Sequence, residues 1–430
     1  MKLYAENREH IVLPYIDQRW NAKITFDTIQ FNLDKNIFAD GILQLQGVAK
    51  ISDFIINHPK VAANDVIIKN ASMEYSLNIG ENYFELDSSS YFSLNKIVIY
   101  PYTKYQRSPE KEITLKLNID KIPAQDFFAS LPKGMFKNLD GVEAQGFLNY
   151  NLTFDVDMNL LDSLHFSFDL KKENFKLTRG QSNFTRINEP FEYNAYEKGQ
   201  LMQTFIVGRE NPNFVPLGNI SELLKNTILT AEDGAFFYHR GFNEEMFGKS
   251  IAANIKAGKF MRGGSTISMQ LVKNVFLSRN KTIARKLEEA LIVWLIENNH
   301  LVSKERMFEV YLNIIEWGPN MYGVGEASKF YFNKKPADLS LAECIFLTSI
   351  IPGPKMFKYS FDEKGNLKGN LAAYYKLISG ILLHKLVITD MEYEQLKPNI
   401  ELKGEAKKLV LPTDSVPSDS LFMERMELLN

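Results

Sequence analysis

The chain has 430 residues, enough for two or three domains that each bury a core of their own. Its 45% hydrophobic and 24% charged content is ordinary for a globular protein, and a formal net charge of -2 argues against a general nucleic-acid binder, so no nucleic-acid partner is expected. The single cysteine, Cys344, excludes an internal disulfide; it lies in an apolar helical pattern without basic neighbours to activate a thiol, and reads as core filling.

No run of about eighteen apolar residues occurs, and residues 1–10 are too charged for the apolar core of a signal peptide, so neither a membrane span nor an export signal is expected in the sequence as read. From about residue 23 to 170, apolar and polar residues alternate. Ala71, Met73, Tyr75, Leu77 and Ile79 form one such run, Ile113, Leu115, Leu117 and Ile119 another. Leu148, Tyr150, Leu152, Phe154, Val156 and Met158 form a third, followed by Leu164, Phe166, Phe168 and Leu170. A period of two predicts strands with one buried face in an antiparallel sheet. Gly80-Glu81-Asn82 and Asn159-Leu160-Leu161-Asp162 read as hairpin turns, and Pro123 and Pro132 bracket a short helix over residues 126–131. Residues 1–172 hold no acid pair, metal-ligand cluster or phosphate loop, so they point to no chemistry. Their strand pattern and the passage from Ile122-Pro123 to Leu139-Asp140-Gly141 resemble AsmA-like envelope proteins; a β-sandwich spacer is the alternative.

Residues 173–198 are polar, with Gly180 and Pro190, and predict a junction. Beyond it the period becomes helical. Ser221 is placed to cap a helix through Leu223, Leu224, Ile228 and Leu229 that delivers Glu232 just past its end. Ser340-Leu341-Ala342-Glu343 is a capping box, with Leu339 and Cys344 as its staple. After Pro352-Gly353-Pro354, residues 371–387 and 390–396 predict two closing helices, and residues 401–430 a tail with a frayed end.

The densest segment is Glu232-Asp233-Gly234-Ala235-Phe236-Phe237-Tyr238-His239-Arg240-Gly241. Adjacent carboxylates repel and the aromatics exclude screening water, so one acid should have a perturbed pKa. Next comes Gly263-Gly264-Ser265-Thr266-Ile267-Ser268-Met269-Gln270-Leu271-Val272-Lys273-Asn274. The two glycines would let backbone approach a ligand, and Ser265 or Thr266 would cap the new helix. In Arg285-Lys286-Leu287-Glu288-Glu289, Arg285 and Glu289 lie four apart on one helix face, a cation beside a carboxylate. Lys304-Glu305-Arg306-Met307-Phe308-Glu309-Val310-Tyr311-Leu312-Asn313 repeats the theme on another helix.

These segments, in this order, resemble the motifs of the peptidoglycan glycosyltransferases, family 51 of the glycosyltransferases: E-D-x-x-F-x-x-H-x-G, G-x-S-T-I-x-Q-Q, R-K-x-x-E and K-x-x-I-L-x-x-Y-L-N. A fifth stretch, Tyr322-Gly323-Val324-Gly325-Glu326-Ala327-Ser328 with Tyr331-Phe332 and Leu339-Ser340-Leu341-Ala342-Glu343, is also similar. Met269 stands where the family usually has its first Gln, and Met307-Phe308 replace Ile-Leu. The alternation and the resemblance together give an α+β chain: an N-terminal antiparallel β-sheet domain (1–172) and a junction (173–198) read from the pattern, then, as the resemblance implies, a mainly α-helical, lysozyme-like transglycosylase domain (199–400), and a tail (401–430).

The activity implied is polymerisation of lipid II into glycan strands, by inverting transfer with loss of undecaprenyl diphosphate. Glu232 would be the general base, its pKa raised by Phe236 and Phe237. Glu289 would be the second catalytic acid, steadying the diphosphate end through a divalent ion or by orienting Arg285 and Lys286; a structural intrahelical pair is the alternative. Lys273, Lys281, Arg285 and Lys286 would clamp the diphosphate. Ser265, Thr266, Gln270 and Asn274 would line the donor-sugar path, while Asp233, His239 and Asn313 also fall among the substrate-site residues, the latter two in orienting roles. No cofactor is required, and a divalent cation, magnesium or manganese, is the one admitted at the diphosphate.

Phe242, Met246, Phe247, Phe260 and Met261 are interleaved with Lys249, Lys256, Lys259 and Arg262, which suits a bilayer surface or a prenyl chain; a plain core helix is the alternative. The implied partners are lipid II, the growing glycan chain, the bacterial inner-membrane surface and a transpeptidase or other cell-wall proteins. The implied place is the periplasmic face of that membrane, with an anchoring segment outside these residues. Two rival readings are a lytic glycan-cleaving enzyme, which needs no diphosphate clamp, and a lipid-handling scaffold with an inactive transglycosylase-like domain.

Overall fold

A computed structural model describes residues 2–4, 21–261, 263–362 and 364–410. The charged start of the chain, Arg262 and the end expected to fray, beyond residue 410, lie outside the described residues. The chain is α+β and divides into two compact units. The first comprises Met1–Phe184, Glu244–Gly264 and Asn280–Ile292, and the second Thr185–Asn243, Ser265–Arg279 and Val293–Asn430.

The first unit is built on one antiparallel sheet: β1 (Lys2–Tyr4), β2 (Lys23–Thr25), β3 (Thr28–Ala39), β4 (Ile42–Asn57), β5 (Val66–Ile79), β6 (Tyr83–Leu86), β7 (Tyr91–Leu94), β8 (Ile97–Gln106), β9 (Glu112–Pro123), β10 (Glu143–Asp157) and β11 (His165–Arg179). The order is β1-β3-β4-β5-β6-β8-β9-β10-β11, with β2 beside β4, and β6 and β7 sharing the slot between β5 and β8. All eleven strands belong to one hydrogen-bonded sheet.

Register explains the alternation. Leu45 faces Leu77, Leu77 faces Leu86, Leu117 faces Leu152 and Leu152 faces Phe168, an apolar row on one face. Gln46 faces Ser76 and Lys50 faces Ser72 on the other. The apolar face is less buried than its pattern predicts: Phe31 is 45% and Phe38 74% exposed. Cross-strand neighbours such as Phe31 and Tyr75, stacked at 5.9 Å, shield one another there, whereas the helix Ala124–Ser130 buries Phe127 and Phe128 near β10 and β11.

The predicted junction is largely regular structure: β11 continues to Arg179, a helix spans Gln181–Thr185, and a hairpin strand spans Phe191–Glu197. β11 is an edge strand, and the polar residues from 173 on, read as the start of a junction, are what an edge tolerates.

Two helical segments from the region predicted as 199–400 group with this sheet. In the helix Glu244–Ala257, Phe247 packs at 6.0 Å from Phe166 and 6.3 Å from Phe168, and Glu244 accepts from the Phe168 N–H at 3.1 Å. At the start of the helix Ile283–Asn298, the Ile283 and Ala284 N–H groups donate to Lys60 O and Val61 O, both at 2.9 Å. Thr282 Oγ1 accepts from Arg285 N, so these first-turn donors are satisfied. Ala284 is buried with Ala62 and Val66, and Glu288 accepts from Asn138 N at 2.5 Å and Asn138 Nδ2 at 3.1 Å.

The second unit is mainly helical: Glu222–Glu232, Ile267–Phe276, Lys304–Ile314, Val324–Phe332, Leu341–Ile350 and Ala372–His384 are its principal helices, with a hairpin of Phe191–Glu197 and Gln200–Val207. Its core includes Phe236, Phe308, Tyr311, Trp317, Tyr331 and Phe346. Ser221, Thr266 and Ser340 are N-caps as predicted, the last within a capping box, and Cys344 is buried, its thiol pushed far up by burial. The closing helices are Ala372–His384 and Asp390–Gln395.

Candidate active site

Glu232 is the last residue of the helix Glu222–Glu232, which Ser221 starts by accepting from Leu224 N at 3.2 Å. The helix Ile267–Phe276 supplies its partners. Gln270 Nε2 donates to Glu232 Oε2 at 2.9 Å, and Gln270 Oε1 accepts from the Tyr311 hydroxyl at 3.3 Å. Glu232 keeps some exposed surface, but protein encloses its carboxyl group. Desolvation therefore pushes its pKa above the ordinary glutamate range, against the Gln270 hydrogen bond and the Lys273 charge, with Asp233 adding to the rise. Lys273 lies one turn from Gln270 on the same helix, which is why both reach the acid.

Asp233 is used differently from its sequence-based placement at the substrate. Its side chain is fully buried; it accepts from the Ile267 N–H at 3.0 Å and from His239 Nε2 at 2.9 Å. Because Gly241 N–H donates to His239 Nδ1 at 3.0 Å, Nδ1 carries no proton and Nε2–H points at Asp233. Asp233 and His239 thus tie the first motif to the start of the second-motif helix. Thr266, also expected on the sugar path, is buried: it caps that helix and donates to Gly241 O at 2.7 Å. Asn313 spends its amide on Val215 N, Val215 O and Glu309 O, which pins the segment around Val215 to the helix Lys304–Ile314.

Met269 is 1% exposed, so a core position, not a polar one, stands where the family usually has Gln. Ser265 is partly buried, and Asn274 Oδ1 is buried without a hydrogen-bond partner among the described residues. Beneath the first motif lies a buried ion pair that the sequence reading missed. Glu297 accepts from Lys304 Nζ at 2.7 Å and from Ser268 Oγ, and Lys304 lies 4.3 Å above the Phe236 ring. Burial lowers the Lys304 pKa, and the Glu297 charge opposes that shift. Lys304 and Tyr311 both stand at fixed positions of the fourth motif, which was the available signal; Glu297 had none.

In the first unit, Arg285, Lys286 and Glu289 come together. Glu289, 2% exposed in its side chain, accepts from Arg285 Nη1 at 3.2 Å and from Lys286 Nζ at 2.6 Å. Arg285 Nε is buried without a partner among the described residues, while the Lys286 side chain is 45% exposed. Lys281 is exposed ahead of this helix. Each Glu289 oxygen is paired with a cation, so a divalent ion bound there would compete with Lys286, the more exposed of the two partners. Among the described residues the acids close enough to share a cation are Glu110, Glu112 and Asp157, at an exposed end of the sheet.

The residues expected at a lipid surface split. Phe247 packs on β11, the core alternative, and Gly264 lies against it, so a Cβ there would meet Phe247 Cδ1 at 3.2 Å. The closeness of Gly264 therefore serves packing and not a ligand. Phe260 is 75% exposed; Phe242, Met246 and Met261 are partly buried.

A family model described as Transglycosylase matches residues 198–374. The biosynthetic peptidoglycan transglycosylase of Dechloromonas aromatica (strain RCB) is 40% identical over 171 residues, 40% of this chain and 73% of the relative. The protein of the same name from Methylobacillus flagellatus is 40% identical over 155 residues, 36% of this chain and 67% of the relative. Its counterpart in Aromatoleum aromaticum is 38% identical over 174 residues, 40% of this chain and 72% of the relative. A helical region carrying these motifs, following the sheet-forming strands in sequence, thus defines an enzyme that transfers glycosyl groups. The chain belongs to the peptidoglycan glycosyltransferases, family 51 of the glycosyltransferases.

Proposed function

We propose that this enzyme lengthens glycan strands from lipid II, with Glu232 as the general base. The hydroxyl oxygen of the acceptor sugar attacks the anomeric carbon of the growing chain, and its proton passes to Glu232. The bond from that carbon to the lipid diphosphate breaks, its electron pair leaves with the diphosphate, and the configuration inverts. The observation that carries this reading is an enclosed carboxylate at the first motif, held by Gln270 beside Lys273 and raised in pKa toward the range where a base works best.

Arg285 and Lys286 are read as the cations that meet the diphosphate, with Glu289 fixing their position. Lys273 favours the ionised form of the base, and Ser265, Gln270 and Asn274 offer polar groups for the donor sugar. Lys281 adds exposed charge. The reading also assigns the helical unit a lysozyme-like fold and the enzyme a place at the periplasmic face of the inner membrane; among the described residues no helix is long and apolar enough to cross a membrane.

The test is polymerisation of lipid II by the wild type and by Glu232→Gln, with finished peptidoglycan as a parallel substrate. Glu232→Gln is expected to fold and to lose turnover by a factor on the order of 10² to 10⁴ or more. Wild-type-like polymerisation by that variant refutes the base; cleavage of finished glycan without polymerisation refutes the reaction.

A further inference from the structure

Gln270 is the one group hydrogen-bonded to Glu232 among the described contacts, and a primary amide has two unlike ends. Turned as observed, it offers Nε2–H, which favours the ionised carboxylate; turned by half a rotation it would offer Oε1, which repels a carboxylate and suits a protonated acid. What lies behind the amide decides between the two. We propose that Tyr311 is a positioning residue for the general base: by donating to Gln270 Oε1, its hydroxyl keeps the Nε2 end of the amide toward Glu232. The inference rests on reading Glu232 as the base.

Tyr311 is fully buried on the helix Lys304–Ile314, its ring stacked on Phe308 at 6.5 Å and 16°, so the hydroxyl cannot swing away to water. Its hydrogen bond among the described residues is the one to Gln270 Oε1, at 3.3 Å. A phenol can also accept, so a turned amide would still find its oxygen. The phenol proton would then be stranded without a partner in a buried place, and that penalty biases the amide. Burial, followed by the Glu232 and Asp233 charges, holds the Tyr311 hydroxyl well above its ordinary pKa, so it carries its proton throughout the working range.

The other groups facing Glu232 are Lys273 from the helix Ile267–Phe276, Asp233 next along the chain, and Tyr374 from the helix Ala372–His384. Changes confined to Tyr311 leave all three in place. A shift in the titration of the base therefore reports on the amide.

The experiment is the pH dependence of kcat/KM for lipid II polymerisation by the full chain carrying Tyr311→Phe. Losing a preference for the ionised form raises the pKa of the base, so the acid limb should move up by about one pH unit. That is a roughly tenfold loss below the limb, and it disappears on the plateau. An unmoved limb, or an equal loss at every pH, overturns the inference. Should Tyr311→Phe not fold, 3-fluorotyrosine at position 311 keeps the shape and donates more strongly; the limb should then move down by about a few tenths of a unit, and an unmoved limb again overturns it. Glu232→Gln is run alongside. Polymerisation retained there removes the base itself, whereas polymerisation lost there together with an unmoved limb in Tyr311→Phe removes only the role of Tyr311.

Discussion

Lys304→Met should cost this protein about 3–5 kcal/mol of stability, because it takes the cation away from an anion that cannot reach water. The Glu297 side chain is 4% exposed and the Lys304 side chain 18%, and they meet at 2.7 Å. Methionine occupies much the same space as the lysine stem, so packing over Phe236 is kept and the charge is what changes. Among the described residues, the Glu297 carboxylate would be left with the Ser268 hydroxyl alone. A solvated pair would instead cost about 0–1 kcal/mol, so the two regimes are well separated.

Urea unfolding followed by circular dichroism reads the difference, with an unchanged m-value as the control for an unchanged denatured state. In a thermal scan, the loss corresponds to a Tm lowered by about 6–20 °C for a unit of roughly 200 residues. Adding Glu297→Gln removes the stranded charge while keeping an acceptor for Ser268, so the double variant should recover most of the loss. A single-variant loss below about 1 kcal/mol, or a double variant no better than the single, refutes the reasoning.

Two further outcomes follow from the same region. Since burial raises the folded pKa of Glu232 above its unfolded value of about 4.3, the stability tied to its protonated form is full below that value and is lost as pH rises through the folded pKa. Glu232→Gln should therefore be at least as stable as the wild type on the alkaline side; a clear loss in urea unfolding there contradicts the enclosed-carboxylate picture. Gly241 has φ 93°, and a Cβ there would lie 2.4 Å from Val293 Cγ1, so Gly241→Ala should destabilise by about 2 kcal/mol or more and reduce polymerisation, with Val293→Ala restoring part of the stability. Full stability in Gly241→Ala, measured calorimetrically, would contradict it.

The strands were legible because Leu148 to Met158 alternate without a break, and the helix starts because Ser221, Thr266 and Ser340 each carry a side-chain acceptor at the right offset. The acids were legible as motif positions. Helical periodicity says that Phe247 and Ala284 are covered but not by what, so their grouping with the sheet could not be read. Asn138 and Glu288 lie 150 residues apart and belong to no shared pattern. Asp233 and Thr266 are polar residues in motifs, and polarity alone does not distinguish a group that meets a substrate from one spent on internal hydrogen bonds. A polar edge strand and a polar junction look alike in composition, which is why the junction was placed from residue 173 although β11 runs to Arg179.

The family match begins at residue 198, yet the helix that carries Arg285, Lys286 and Glu289 starts on the carbonyls of Lys60 and Val61 and is braced by Asn138. Anyone who trims this protein to its recognisable segment discards that scaffolding. The shortened polypeptide would present Ala284 to solvent, leave the Glu288 carboxylate without the amide it holds, and unravel the opening turn on which both cations are mounted. The part that similarity detects is shorter than the part whose contacts hold this helix in place.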